Sequence, residues 1–407
     1  MPAKVYSAAV IGIKAQPIEV EVDLGPGLHN FNIVGLADKA VNEAKDRVSS
    51  AIKNSGAVAP SRQNRKITVN LAPADLKKEG SIYDLAIAIG YLLCSNQIKN
   101  FSTKNKLFLG ELALDGSLRP VAGVLPSVLM AKNKFEEVIL PAKNAKEAAV
   151  VKGIKIIGCK DLKEVVEYLE GKKEINSIVE ENLENFGGEN YSVDFSDIKG
   201  QKQAKRALEI AAAGGHNILM IGSPGSGKSM LAKALPSILP KMSLNEAIEV
   251  TKIHSVCGLT SEDNPLIVLR PYRSPHHTAS KVALVGGGSW PKPGEISLAH
   301  RGVLFMDELP EFNRDVLESL RQPLEEGEIT VSRVQGSLTF PARFILVAAM
   351  NPCPCGYYGD PEKECRCAPG EILRYQKKIS GPLLDRIDIQ VELPRVKYDD
   401  LKSEEKS

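Results

Sequence analysis

Apolar residues along the first 170 positions follow two rhythms. Ile18 to Asp23, Lys66 to Leu71 and Glu137 to Leu140 are short runs rich in β-branched and other apolar residues that read as strands. Ala37 to Lys53 and Ile82 to Leu93 carry apolar residues at spacings of three and four, which predicts helices. Together they describe one α/β domain over residues 1–170. Residues 171–194 lose both rhythms: Glu174, Glu180, Glu181, Glu184 and Glu189 with a Gly-Gly pair predict an acidic, solvated linker. From Phe195 a second α/β pattern runs to residue 407, with no internal repeat or low-complexity tract.

The second pattern carries the chemistry. The apolar strand Ile218 to Ile221 runs into Gly222, Ser223, Pro224, Gly225, Ser226, Gly227, Lys228 and Ser229, followed by the helix-forming run Met230 to Leu235. Strand, glycine-rich loop and helix in that order make a Walker A phosphate-binding loop, because glycines let backbone N–H groups approach phosphate oxygens and the helix N-terminus adds its dipole. Lys228 is then expected on the β/γ-phosphates of ATP and Ser229 on Mg²⁺. A second apolar strand, Gly302 to Met306, ends in Asp307 and Glu308. Asp307 fits the Mg²⁺ shell and Glu308 the general base that polarises an attacking water. A third strand, Phe344 to Ala349, leads to Asn351, whose amide suits orientation of that water. Polar groups at successive strand tips belong to one site at the carboxyl edge of a parallel sheet.

Composition narrows the class without naming a partner. Hydrophobic residues at 43% and charged residues at 25% are the proportions of a globular chain, which excludes global disorder and a membrane bundle. Net charge is +2, so any nucleic-acid contact has to come from a local patch. Met1 to Lys14 lacks a secretory cleavage pattern, and a cytoplasmic location without membrane contact is expected. Seven cysteines, an odd count, argue against a disulfide framework. Four of them, Cys353, Cys355, Cys365 and Cys367, crowd one loop as C-x-C, nine residues, C-x-C. They either close a tetrahedral Zn²⁺ site or remain free or redox-paired thiols.

Glu328 to Leu338 alternates, with Ile329, Val331 and Val334 against Ser332 and Arg333, and predicts a hairpin with its turn at Gly336. His276 and His277, being adjacent, are expected to point apart and to be structural or ring-contact residues rather than metal ligands.

The order Asp197-Ile198-Lys199-Gly200-Gln201, Walker A, Asp307-Glu308, Asn351 and Leu383-Leu384-Asp385-Arg386-Ile387-Asp388 resembles an AAA+ ATPase. The resemblance implies a P-loop AAA+ αβα module with a parallel sheet, puts Gly200 and Gln201 at the nucleotide, and makes Arg386 an arginine finger that reaches a neighbouring subunit's γ-phosphate in a ring, usually of six. The alternative for Arg386 is a surface ion pair with Asp385 or Asp388. Arg270 to Thr278, Gly286 to Gly288 and Pro293 to Arg301 resemble magnesium-chelatase ATPase subunits and replicative minichromosome-maintenance helicases. In the helicases a hairpin like Glu328 to Leu338 lines the pore, so Arg333 is either a DNA-phosphate contact or an ordinary solvated charge.

In the first domain, Lys78 to Leu85, Gly110 to Leu112 with Asp115-Gly116, and Arg119 to Val124 resemble the proteolytic domain of Lon, a ribosomal S5 domain 2-like fold. The nucleophile position falls on Ile82 and the base position near Leu125 or Ser127, so a catalytically inactive domain is expected, serving assembly or DNA binding. A Lon-like domain joined to a chelatase-like AAA+ module resembles the YifB/ComM family, which implies hexameric, ATP-driven branch migration of DNA. That family continues into a helical lid carrying a further Arg, whereas this chain stops at Ser407. Either the sequence is a fragment or the lid is missing; without it, ATP binding should survive better than hydrolysis.

Overall fold

A computed structural model of the chain describes residues 2–178, 191–288, 291–333 and 336–395. Half of the acidic stretch predicted as a linker (residues 179–190), the residue Val334 and the C-terminal end at Ser407 lie outside the described residues. The chain separates into two compact units, Met1–Phe186 with His254–Leu266, and Gly187–Ile253 with Ile267–Ser407.

The first unit is built on a seven-stranded mixed sheet: β1 (Ala3–Ile11), β2 (Lys14–Pro26), β3 (Asn30–Val34), β4 (Arg65–Ala72), β5 (Lys106–Phe108), β6 (Glu137–Pro141) and β7 (Lys155–Cys159). Their order is β3-β4-β2-β1-β5-β6-β7. Strands β1, β2 and β4 pair antiparallel, and β5, β6 and β7 run parallel. Helices α1 (Ala44–Asn54), α2 (Asp84–Cys94) and α3 (Val124–Ala131) complete the layer, with α2 and α3 against β1 and β2. The predicted helix over Ala37 to Lys53 is broken into a short turn, Lys39–Asn42, and α1, the turn being capped by the Asp38 carboxylate on the Val41 N–H at 2.7 Å. Arg47 holds Asp84 from α1 to α2 through Nε at 2.6 Å and Nη2 at 2.9 Å. Burial still pushes the Asp84 carboxyl up to about 6, against the pull of Arg47. Glu147 explains why His254–Leu266 belongs here: its buried carboxylate accepts from Ser255 Oγ at 2.5 Å, Thr260 Oγ1 at 3.0 Å and the Leu125 N–H at 3.0 Å.

The second unit is a five-stranded, all-parallel sheet of β8 (Ile218–Gly222), β9 (Tyr272–Arg273), β10 (Val303–Met306), β11 (Ile345–Met350) and β12 (Ile389–Leu393), in the order β9-β10-β11-β8-β12. Strand alternation sends Ile218 and Met220 of β8, Val303 and Phe305 of β10 and Val347 and Ala349 of β11 into one core. Helices α4 (Lys202–Gly214) and α5 (Lys228–Ile238) supply Leu208, Ala211, Leu231 and Leu235 to it. Each such large side chain contributes about 2 kcal/mol of burial, which fixes the strand that delivers the glycine-rich loop. The crossovers leave β11 between β8 and β10, so the loop, Asp307 and Asn351 emerge at neighbouring strand ends.

Candidate nucleotide-binding site

The phosphate loop joins β8 to α5 with Gly225 at φ +81° and Gly227 at φ +92°, a backbone that side chains with a Cβ rarely adopt. Lys228 is buried, and its Nζ donates to the Gly222 carbonyl at 2.6 Å, the Ser223 carbonyl at 3.0 Å and Asn351 Oδ1 at 3.2 Å. Burial lowers its pKa, while Asp307 and Glu308 oppose the shift. Ser229 Oγ donates to Asp307 Oδ2 at 2.8 Å. Gln201, itself at φ +52°, donates through Nε2 to the Ser226 carbonyl at 3.1 Å and to the Pro394 carbonyl at 2.7 Å, tying the segment after Gly200 to the loop and to the end of β12. The predicted loop residues, Asp307, Asn351 and Gln201 therefore converge on one edge.

Two observations fit this edge to a nucleotide and its metal. Ser226 Oγ is buried with no hydrogen-bond partner among the described residues, inside a loop whose backbone turns around it. Ser229 and Asp307 already face each other as a hydroxyl and carboxylate pair, the hard oxygen donors that Mg²⁺ takes.

Glu308 reveals a residue that sequence reasoning missed. It sits at φ +52°, and its Oε2 lies 3.1 Å from His277 Nδ1. The two histidines do not point apart: they lie in a loop past β9, not on a strand, and their ring centroids are 4.2 Å apart with the planes tilted by 32°. Tyr272 pairs with Val303 and Arg273 with Leu304, so the loop that follows β9 leaves beside the strand that ends at Glu308. A polar residue four past a short strand was the available signal, readable only with the strand order known.

Arg386 lies elsewhere. Its guanidinium pairs with Glu325, at 3.0 Å from Nε and 2.6 Å from Nη2, not with Asp385 or Asp388. Its carbonyl accepts from Asn217 Nδ2 at 2.8 Å, just before β8 begins, so it sits at the amino edge of the sheet, opposite the phosphate loop. Arg333 ends the first strand of a hairpin, Glu328–Arg333 with Gly336–Pro341, and pairs with Gly336, which is the start of the return strand rather than the turn. Its exposed guanidinium approaches Gly287 of a second short hairpin. The four loop thiols do converge: Cys353, Cys355, Cys365 and Cys367 bring their sulfurs within 4.8 Å of one another. In the first unit Ile82 and Leu125 are buried apolar residues and Ser127 Oγ is spent on the Gly123 carbonyl at 2.7 Å. Ser81 Oγ is hydrogen-bonded to Glu111, and the buried Lys78 to the Pro73 carbonyl.

A phosphate loop, a carboxylate pair and a polar strand tip on one edge of a parallel sheet are the arrangement of a P-loop nucleoside-triphosphate-binding fold. Family models described as "Magnesium chelatase, subunit ChlI" and "Subunit ChlI of Mg-chelatase" match residues 194–401 and 20–144. The chain is 49% identical to the competence protein ComM of Haemophilus influenzae, covering 96% of this chain and 76% of that one. Against YifB of Escherichia coli K12 the identity is 47%, over 96% and 75%. The chain belongs to the YifB/ComM family of magnesium-chelatase-like AAA+ ATPases. The magnesium-chelatase 38 kDa subunit of Cereibacter sphaeroides is more distant, 29% identical over 39% of this chain and 52% of that one. Among the described residues no helix is long and apolar enough to cross a membrane.

Proposed function

We propose that the chain hydrolyses ATP as the motor core of a cytoplasmic ring of identical subunits, six on the family pattern, and uses that energy for branch migration of DNA strands in recombination. The observation that carries the reading is the convergence of Lys228, the Ser229–Asp307 pair, Glu308 and Asn351 on one sheet edge. ATP supplies the phosphoanhydride to be cleaved, and Mg²⁺ offsets charge on its oxygens. Loop N–H groups and Lys228 hold the β- and γ-phosphates, and Ser229 and Asp307 hold the metal. Glu308, oriented by His277, takes the proton of the attacking water, and the Asn351 amide aligns that water. Arg386, on the far edge, completes a neighbour's site.

The DNA half of the proposal draws support from the competence protein among the relatives and from the exposed Arg333 hairpin. On this reading the first unit is an inactive Lon-like fold that serves assembly or DNA binding. The chelatase relatives favour one rival, an ATPase that remodels a partner enzyme for Mg²⁺ insertion. ATP turnover measured with and without forked DNA separates them: stimulation is expected, reduced by Arg333→Ala, and a rate indifferent to DNA would reject the DNA motor.

A further inference from the structure

The loop from Cys353 to Cys367 is ordered without an apolar interior. Of its residues only Cys353 and Gly356 are buried, and the rest are half-buried cysteines, polar residues, glycine, proline, the half-buried Tyr357 and the exposed Tyr358. Such a segment has too little hydrophobic area to offset the entropy of fixing it. Its sulfurs nevertheless lie 3.4 Å (Cys353 to Cys355), 3.7 Å (Cys353 to Cys365) and 3.6 Å (Cys355 to Cys365) apart, with Cys367 inside the same cluster. These separations far exceed a disulfide bond of about 2.05 Å. They match the edge of a tetrahedron with metal–sulfur bonds of about 2.3 Å, which is about 3.8 Å. The Tyr358 N–H also donates to Cys353 Sγ at 3.3 Å, the kind of outer contact that orients a metal-bound sulfur.

The loop is also a wall of the nucleotide edge. Cys353 follows Asn351 by two residues, and Asn351 accepts from Lys228. Gly356, at φ +86°, backs onto the phosphate loop so closely that a Cβ would come within 2.7 Å of Pro224 Cδ. Arg395, just past β12, anchors the far part of the loop through Glu362 at 2.6 Å.

We infer that the four thiolates bind one Zn²⁺, and that this clip braces the phosphate loop through Gly356 and Asn351, so that metal occupancy sets nucleotide affinity; the coupling rests on the ATP reading above. Elemental analysis of the purified chain should find one zinc per chain, and iron or no metal would overturn the site. Cobalt substitution should give the sulfur-to-cobalt charge-transfer and d–d bands of a tetrahedral thiolate centre, and bands of an oxygen-ligated ion would overturn it.

Affinity for a fluorescent ATP analogue is then read in Mg²⁺-free buffer before and after a chelator removes the zinc. Release should weaken binding at least about tenfold, the equivalent of losing the order of one or two side chains, and added Zn²⁺ should restore it. Unchanged affinity would overturn the coupling. Cys365→Ser and Cys367→Ser should behave as the stripped protein, with circular dichroism confirming that the fold survives. Lys228→Ala should keep its zinc while losing the nucleotide. A zinc-loaded wild-type chain that binds no analogue would sink the ATP reading and the coupling together and leave the metal site standing.

Discussion

Replacing Arg386 with Ala tests whether one chain can complete its own site. The sheet geometry gives the magnitude. Asn217, which holds the Arg386 carbonyl, precedes Gly222 by five residues along β8. At about 3.3 Å per residue that is ~16 Å from the start of the phosphate loop, beyond the reach of an arginine side chain and pointing to the opposite edge. The present partner holds Arg386 only weakly, since the exposed pair with Glu325 contributes at most about 1 kcal/mol. An arginine finger donated to a neighbour contributes about 10³–10⁵ in kcat, or roughly 4–7 kcal/mol, so breaking the Glu325 pair is a small loss beside that gain.

Arg386→Ala and Lys228→Ala chains should therefore each be nearly inactive alone. Mixed in equal amounts and allowed to exchange subunits, they form head-to-tail interfaces of which about one in four joins an intact Lys228 to an intact Arg386. The mixture should recover about a quarter of the wild-type rate by steady-state phosphate release if sites fire independently. No recovery at any ratio, or a fully active Arg386→Ala chain, would refute the shared-site reasoning.

The remaining predictions address single groups. Lys228→Ala removes the cation that spans Gly222, Ser223 and Asn351, and calorimetry should detect no ATP binding. Glu308→Gln should bind ATP and fail to turn it over; ordinary turnover would reject the general-base role. His277→Ala leaves the phosphate contacts intact, so kcat should fall about ten- to a hundredfold with little change in KM, and an unchanged kcat would remove His277 from the machinery. His300 makes a pH prediction. Its buried ring accepts the Arg343 N–H at Nδ1, 3.1 Å, and faces Glu249 at 3.4 Å through Nε2, which suits the neutral form. Burial lowers its pKa from 6.5 to about 4. A depressed folded value means stability is full above pH 6.5 and is lost as pH falls toward 4, by about 2 kcal/mol at pH 5. Urea midpoints at pH 7.5 and 5 should diverge more in the wild type than in His300→Asn.

The phosphate loop was legible because its chemistry demands particular residues at fixed spacing within strand, loop and helix. Asp307 and Asn351 were legible for a related reason, since apolar runs ending in polar residues mark strand tips. What sequence hid was pairing at a distance. Strand β1 carries Ala8 and Ala9 in place of large apolar residues and gave no alternating signal, yet it lies near the middle of its sheet. The two-residue strand β9 is too short for periodicity, so its pairing beside β10, from which the His277 loop leaves, could not be read. Glu325 lies 61 residues before Arg386 and is joined to it only by the fold. Neither could the chain pattern show that His254–Leu266 joins the first unit, because that depends on the buried Glu147 and its hydroxyl partners.

Asn217 does more than lead into a strand. Its N–H reaches Asp388, its amide donates to the Arg386 carbonyl and accepts from the Leu346 N–H, and its own carbonyl receives the Ile389 N–H. One residue thus rivets the backbone of Arg386 to the rod whose other tip is the phosphate loop. Should Arg386 meet a neighbouring subunit as proposed, β8 would carry a displacement there to its own chain's phosphate loop, making the central sheet a lever with a working end on each side.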